Sequence, residues 1–398
     1  MNQNIEKLYQ IAQKPIRHII GLMSGTSLDG LDIAYCSYTG SGTDTQVKIL
    51  AFDTLSYSEE IKNEIRKIFA KKQIDFQHLC LLNPWIGNLH GELINTFLQK
   101  NNIKTEQVDC IASHGQTVFH APKILHKLAN FPNATLQIGD GDHIAHKTGI
   151  ITLSDFRQKH CAAGGEGAPL AVYGDFLIFS KAGQDRILLN MGGISNFTYL
   201  SADLDPNKVF ATDTGPGNTM MDKLVQTRLG LMYDADGQLA KQGQISNALL
   251  KALKADAFFS GPVPKTTGPE LFNLDYLTAA QAQSNTSDLT INDILATLCR
   301  FTAQTITEAI TASLPGITNA DVFMSGGGMH NPTIVDHLKA LMPQASFYRT
   351  DDIGIDGDAK EAVLFATMAN EALAGGKTNF GSRRGVPSVS MGKVSFPG

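Results

Sequence analysis

The stretch 19-IIGLMSGTSLDGLDIAYC-36 sets two apolar runs around a small, glycine-containing centre. It reads as strand, turn, strand, and Asp29-Gly30 is a strong hairpin signal. The same centre carries a second meaning. Gly25, Thr26, Ser27 and Gly30 put open backbone N–H groups and two hydroxyls within a few residues, which is what a phosphate cradle needs. On its own the stretch fits a plain turn and a cradle alike. The rest of the chain has to decide between them.

Moving outward, 47-VKILAFDTL-55 predicts a third strand, and helical text runs from Ser58 to about Lys100. A buried strand over 107-QVDCIASHGQTVF-119 runs into a polar loop, a helix covers 142–149, and a strand covers 150-IITLSDFR-157. The second half repeats that order. 186-RILLNMGGISNFTYL-200 is strand, Gly-Gly turn, strand, and 208-KVFATDTGPGN-218 is a third strand before the helical TMMDKLVQTRLG. After more helix, 320-ADVFMSGGGMHN-331 is a strand entering a triple-glycine loop. A short strand over 345–355 and an amphipathic helix over 358–374 follow. The glycine- and serine-rich tail 375–398 predicts irregular structure.

This duplicated grammar resembles the sugar kinase–Hsp70–actin superfamily. The resemblance implies an α/β fold of two actin-like (ribonuclease H-like) domains, each a mixed five-stranded sheet flanked by helices, with a cleft between them. The expected domains are 1–165 and 166–398, with packing of the last helix and tail back on the first domain left open.

Composition narrows the class of partner. The net charge of -5 and the lack of a basic stripe give no case for nucleic acid. No apolar run reaches transmembrane length, and the N-terminus lacks a signal peptide's apolar core, so no membrane is expected. Cys36, Cys80, Cys110, Cys161 and Cys299 are scattered without a CxxC, which fits thiols in a reducing cytoplasm.

Three glycine loops stand at matching strand ends: Gly25–Gly30, Gly192-Gly193 and Gly326-Gly327-Gly328. Ligands bind at the strand ends of open α/β sheets. The triple glycine would let a flat adenine lie against backbone, with Asn331 in hydrogen-bonding reach. No Walker lysine motif is present. Jointly the loops favour nucleotide binding.

The resemblance then becomes specific. GLMSGTSLDGLD (21–32), SHGQT (113–117), LQIGD (136–140), DFR (155–157), AAGGEGAPL (162–170), NMGGISN (190–196), DTGPGN (213–218), KTTG (265–268), SGGGMHN (325–331) and DGDAKEA (356–362) occur in family order. The chain resembles the anhydro-N-acetylmuramic acid kinases from about Ile19 to its end. That resemblance implies an ATP- and Mg²⁺-dependent enzyme that opens the 1,6-anhydro bridge of the sugar with water and phosphorylates O6. The product would be N-acetylmuramate 6-phosphate, an intermediate of cell-wall recycling.

The residues acquire roles on that basis. Asp213 matches the family's catalytic base, and Glu361 a supporting acid. Each has a local alternative, Asp213 as an Asx-type loop cap and Glu361 as a carboxylate at a helix N-terminus. The first hairpin, with Leu28, Asp29 and Asp32 beside the small residues, would face ATP, and Asp29 is the metal candidate. His114, Gln116, Thr117, Asp155, Arg157, Gly215 and Asn218 are the sugar-side candidates. Lys265 fits either a phosphate contact or a plain loop.

Met23 stands where superfamily ATPases usually carry a metal-orienting aspartate, a feature the anhydro-sugar kinases share. Three places depart from the family pattern: GDHIAHK after LQIGD, Gln158-Lys159-His160 after DFR, and Glu166 where glutamine is common. They bear on sugar recognition. The resemblance also suggests a homodimer. An ordinary sugar kinase and a nucleotide-switched binding protein are the alternatives.

Overall fold

The computed structural model covers residues 1–398, all described except Thr26, Pro169, Thr318, Asp356, Lys377 and 382–385. The chain divides into two compact units, Met1–Phe179 with Gly354–Gly398, and Ser180–Ile353.

In the first unit, β1 (Ile16–Ser24), β2 (Gly30–Thr39) and β3 (Gln46–Ser56) form an antiparallel meander. β4 (Cys110–Ala121) runs parallel to β1, and β5 (Ala134–Ile138) folds back antiparallel on β4. β6 (Thr152–Ser154) runs parallel to β4. The order β6-β4-β1-β2-β3 puts β1 at the centre. Ile19, Ile20 and Leu22 of β1 are fully buried, as a strand covered on both faces requires. The edge strand β3 instead alternates between exposed and half-buried residues.

The second unit repeats the plan. β7 (Arg186–Met191), β8 (Ile194–Leu200) and β9 (Phe210–Pro216) are antiparallel, and β10 (Asp321–Ser325) and β11 (Ser346–Arg349) add in parallel. The order is β11-β10-β7-β8-β9. Strand order and strand senses match those of the first unit one for one, as expected for two actin-like units. The buried helix Ile291–Ser313 anchors this core against Ile187, Leu189 and Phe197.

The first sheet has seven strands rather than five. Its additions are β5 and β12 (Lys393–Ser395), which pairs antiparallel with β6. The tail was expected to be irregular; three residues are too few to register as a period-2 pattern. The division of the chain also falls after Phe179 rather than at 165/166, because the helix Ala171–Phe179 packs on the helix Lys360–Ala374.

The DFR segment differs as well. Asp155 has a left-handed backbone (φ 58°), which stops β6 at Ser154 and starts the helix Phe156–Ala162. Aspartate tolerates that conformation better than most residues. Arg157 therefore sits in a helix, not at a strand end. Helical text over 58–100 resolves into Glu59–Arg66 and Phe76–Lys100.

Close approach places the last helix. A Cβ at Gly21 would lie 1.9 Å from the carbonyl oxygen of Ala362. Only glycine in β1 lets the helix Lys360–Ala374 settle so deeply, and Glu361 in its first turn is carried with it.

Candidate functional site

The loop joining β1 and β2 is the first hairpin, in which Thr26 lies outside the described residues. Leu28 turns the chain through a left-handed conformation (φ 58°) and buries its side chain in the core below. Its side chain is the loop's plug, which leaves only its main chain to face a phosphate. Gly25 is open, since a Cβ there would meet nothing nearer than Met23 Cε at 3.6 Å. Ser27 Oγ donates to Asp29 Oδ1 at 2.7 Å, so the exposed metal candidate already holds one hydroxyl. Asp32 accepts from Thr54 Oγ1 at 2.6 Å, and burial raises its carboxyl above the ordinary range.

Gln116 takes a different part from the one expected. It is fully buried, and its amide is spent on the protein: Oε1 accepts from Ser24 Oγ at 2.6 Å and Nε2 donates to Gly25 O at 2.9 Å. No group is left for a sugar, so Gln116 is a strut of the hairpin. Thr117 Oγ1 accepts from Gln137 Nε2 at 3.2 Å.

His114 and Arg157 come together in the same unit. Arg157 Nε donates to His114 Nε2 at 2.7 Å, and an Nη donates to Gly167 O at 2.7 Å. A guanidinium can only donate, so His114 Nε2 must be an acceptor and the imidazole is neutral. Burial and the Arg157 charge hold its pKa well below the usual histidine value. The ring also packs on Phe365, 4.6 Å between centroids. Burial lowers the Arg157 guanidinium, while the charge of Glu361 acts in the opposite direction. The Glu361 carboxyl is raised, chiefly by burial, against the pull of Arg157. Asp155 forms an ion pair with Lys393 of β12. His114 and Asp155 both border a cavity of about 610 Å³ that includes Gln137 and Ser154.

In the departure that follows DFR, two residues make contacts within the protein. Gln158 Nε2 donates to Thr135 O at 2.6 Å, and His160 Nδ1 accepts from Gly167 N at 2.9 Å. His160 holds the loop at Gly167, and Gln158 ties the helix Phe156–Ala162 to β5.

In the second unit the two glycine loops lean on each other. Gly217 N donates to Gly193 O at 2.9 Å, and Asn218 N to Gly192 O at 2.8 Å. A Cβ at Gly217 would lie 2.2 Å from Gly192 O, so this contact requires glycine. The three-glycine loop joins them, because a Cβ at Gly328 would lie 2.7 Å from Met191 Cβ. Gly192 itself stays open, with nothing within 3.6 Å of its Cβ position.

Asp213 sits on β9 where the pairing with β8 slips between Asn196 and Ser195. Such a bulge re-aims a side chain. Asp213 Oδ2 accepts from Thr267 N at 2.8 Å, while Oδ1 has no hydrogen bond among the described residues. Burial raises its carboxyl, and the Thr267 N–H opposes that in part. The KTTG loop therefore serves Asp213. Lys265 Nζ donates to Phe258 O at 2.7 Å and lies over the Phe258 ring, so it is a structural cation rather than a phosphate contact.

A cavity of about 500 Å³ opens beside the three-glycine loop, bordered by Asn218, Asp222, Tyr233, Asp236, Gly327 and Asn331. That is the size of a small-ligand site. Asn331 does less there than expected. Its Oδ1 caps the helix Pro332–Leu341, and its Nδ2 reaches Cys299 Sγ at 3.7 Å. Asp222 was missed in the sequence: it is a half-buried carboxylate raised by burial. Only its place in the first turn of the helix Thr219–Leu229 could have signalled it.

All five cysteines are free, with Cys80 exposed. Among the described residues no group of three or more His, Cys, Asp or Glu is arranged to hold a metal. No described helix is long and apolar enough to cross a membrane.

Known proteins resemble this chain closely. A family model described as anhydro-N-acetylmuramic acid kinase matches residues 17–397. A protein of that name from Pseudoalteromonas atlantica is 54% identical, with 100% of both chains covered. Another from Caldanaerobacter subterraneus is 35% identical over 98% of this chain and 100% of its own. Among solved structures, a hexokinase from Schistosoma mansoni complexed with glucose overlays with a TM-score of 0.40 at 10% identity, covering 90% of this chain and 86% of that one.

Proposed function

The chain belongs to the anhydro-N-acetylmuramic acid kinase family, and from that premise we propose that it opens the bridge of 1,6-anhydro-N-acetylmuramic acid and phosphorylates O6 with ATP. Asp213 is the observation that carries the chemistry. Its Oδ2 is fixed by the Thr267 N–H, and its Oδ1 is left with a lone pair for water. Desolvation makes it a stronger base than a surface aspartate.

In the proposed reaction, Asp213 takes a proton from water as the water oxygen bonds to C1. The C1–O6 bond breaks with its electrons on O6. O6 then attacks the γ-phosphorus and ADP leaves, giving N-acetylmuramate 6-phosphate. Phosphoryl transfer is mainly positioning and charge neutralisation. The open glycines Gly25 and Gly192 are assigned to the phosphates, as is Ser27 once its hydroxyl turns from Asp29 to donate to them, and the cavity at Gly327 to the nucleoside. Mg²⁺ would neutralise phosphate charge; Asp29, exposed and holding only the Ser27 hydroxyl, fits an ion that keeps most of its waters. His114, Arg157, Glu361 and Asp155 are assigned to the sugar side. A soluble cytoplasmic homodimer completes the proposal, with sedimentation equilibrium as its check.

The test is incubation with ATP and the anhydro sugar, followed by mass analysis. The expected product equals substrate plus phosphoryl plus one water. A phosphorylated product that has gained no water would mean an ordinary sugar kinase. ATP binding with no sugar product would mean a nucleotide-switched binding protein.

A further inference from the structure

Behind the first hairpin lies a buried polar chain to which the proposed reaction gives no role. His90, on the helix Phe76–Lys100, is fully buried, and its Nε2 lies 2.7 Å from Tyr57 Oη. Tyr57 Oη lies 2.9 Å from Ser24 Oγ, and Ser24 Oγ lies 2.6 Å from Gln116 Oε1. Gln116 Nε2 ends the chain on two carbonyls, Gly25 O at 2.9 Å and Thr117 O at 3.0 Å.

The protons in this chain can run only one way. Two carbonyls face the Gln116 amide nitrogen, so its NH₂ points at them and its oxygen faces Ser24. Ser24 faces two acceptors, Gln116 Oε1 at 2.6 Å and Gly30 O at 3.1 Å, and gives its single proton to the nearer, Gln116; with either acceptor it has none left for Tyr57. The Tyr57–Ser24 contact then needs the Tyr57 proton, and the Tyr57–His90 contact needs a proton on His90 Nε2. His90 Nδ1 becomes a bare lone pair, and it has no hydrogen-bond partner among the described residues. Its surroundings agree: burial pushes the His90 pKa down to about 4, which leaves the ring neutral.

We infer that His90, Tyr57 and Ser24 are positioning residues, a one-directional hydrogen-bond relay that fixes the Gly25 carbonyl through Gln116 and so sets the phosphate-facing geometry of the hairpin. The inference rests on the reading of this hairpin as an ATP phosphate site. The relay ties together four separate elements: β1, the residue after β3, β4 and the helix Phe76–Lys100. Tyr57 is also joined to the loop by its main chain, its N–H donating to Asp29 O at 2.9 Å. A loop that must hold its amides still during phosphoryl transfer gains from such pinning, because small misplacements are costly in rate.

The experiment uses the full chain with Tyr57→Phe and Ser24→Ala, singly and together, assayed with ATP and 1,6-anhydro-N-acetylmuramic acid. Tyr57→Phe is expected to lower kcat roughly 10- to 100-fold with the KM for sugar unchanged. The double variant should lose no more than Ser24→Ala alone, since both break one chain. ATP affinity, measured without sugar, should fall roughly tenfold in Tyr57→Phe, and ¹⁵N shifts should place the His90 proton on Nε2. Wild-type kcat and ATP affinity in a folded Tyr57→Phe would overturn the inference, even if its Tm falls. An Nδ1–H signature, or a double variant whose loss is the product of the two single losses, would do the same. Weakened ATP binding in Tyr57→Phe with no sugar turnover in the wild type would instead count against the proposed reaction and leave the relay standing.

Discussion

Asp213 holds its place by one backbone N–H and pays for its position in desolvation. A carboxyl whose folded pKa is raised takes up protons on folding, so its ionised form opposes the folded state. Stability from this group is greatest below the ordinary aspartate value and declines as pH rises toward the raised one. Asp213→Asn can keep the bond from Thr267 and removes the buried charge. At pH 7 the variant should unfold at a Tm equal to or above that of the wild type while losing phosphorylation; a lowered Tm with turnover retained would assign Asp213 to structure instead. The same shift fixes the sign of the pH profile. Asp213 works as a base only when ionised, and Glu361 is raised as well. The acid limb of kcat/KM should break above the ordinary carboxylate range, and a profile flat down to pH 4 would contradict both assignments.

Single residues were legible in the sequence where a motif surrounded them, and not otherwise. DTGPGN pointed to Asp213, but nothing around Tyr57 or in GNLHGEL marks Tyr57 or His90, because the relay joins residues far apart in the chain. The contacts of Gln116 and Asn331 were hidden in the sequence for a related reason. A polar side chain in a glycine loop looks available until its partners are known, and both turn out to be consumed within the protein.

At the scale of elements, the glycine loops act through close approach as much as through openness. Gly217 is needed because the β9 loop stacks on the Gly192 carbonyl. Gly217→Ala should shift that loop and destabilise the protein by about 1–3 kcal/mol, the usual cost of overpacking, with ATP affinity falling more than sugar affinity. Thermal melts and separate binding titrations check this; equal losses for both ligands would argue for general damage. The hairpin text of both halves was readable because turn chemistry is local. The strand-to-helix switch at Asp155 and the tail strand β12 were not. The first depends on one left-handed residue and the second on a pairing partner more than two hundred residues away.

At the scale of the whole molecule, the repeated grammar of the sequence becomes two sheets with the same strand order and the same senses. That much could be read because each half states its own pattern of three strands followed by alternating helix and strand. The division of the chain could not, since the last helix closes on β1 through Gly21, a contact with no local signature. The duplication gives each unit a glycine hairpin, yet the aspartates on the third strands differ: Asp53 of β3 pairs with the exposed Lys100, whereas Asp213 of β9 is held by a backbone N–H. The central claim, that water opens the bridge as O6 takes the phosphoryl group, is tested most directly in water enriched in heavy oxygen. The reaction is quenched early and compared with N-acetylmuramate 6-phosphate held in the same water. The account predicts heavy oxygen on C1 of the phosphorylated product and none on O6; a phosphorylated product free of label at C1 would contradict it.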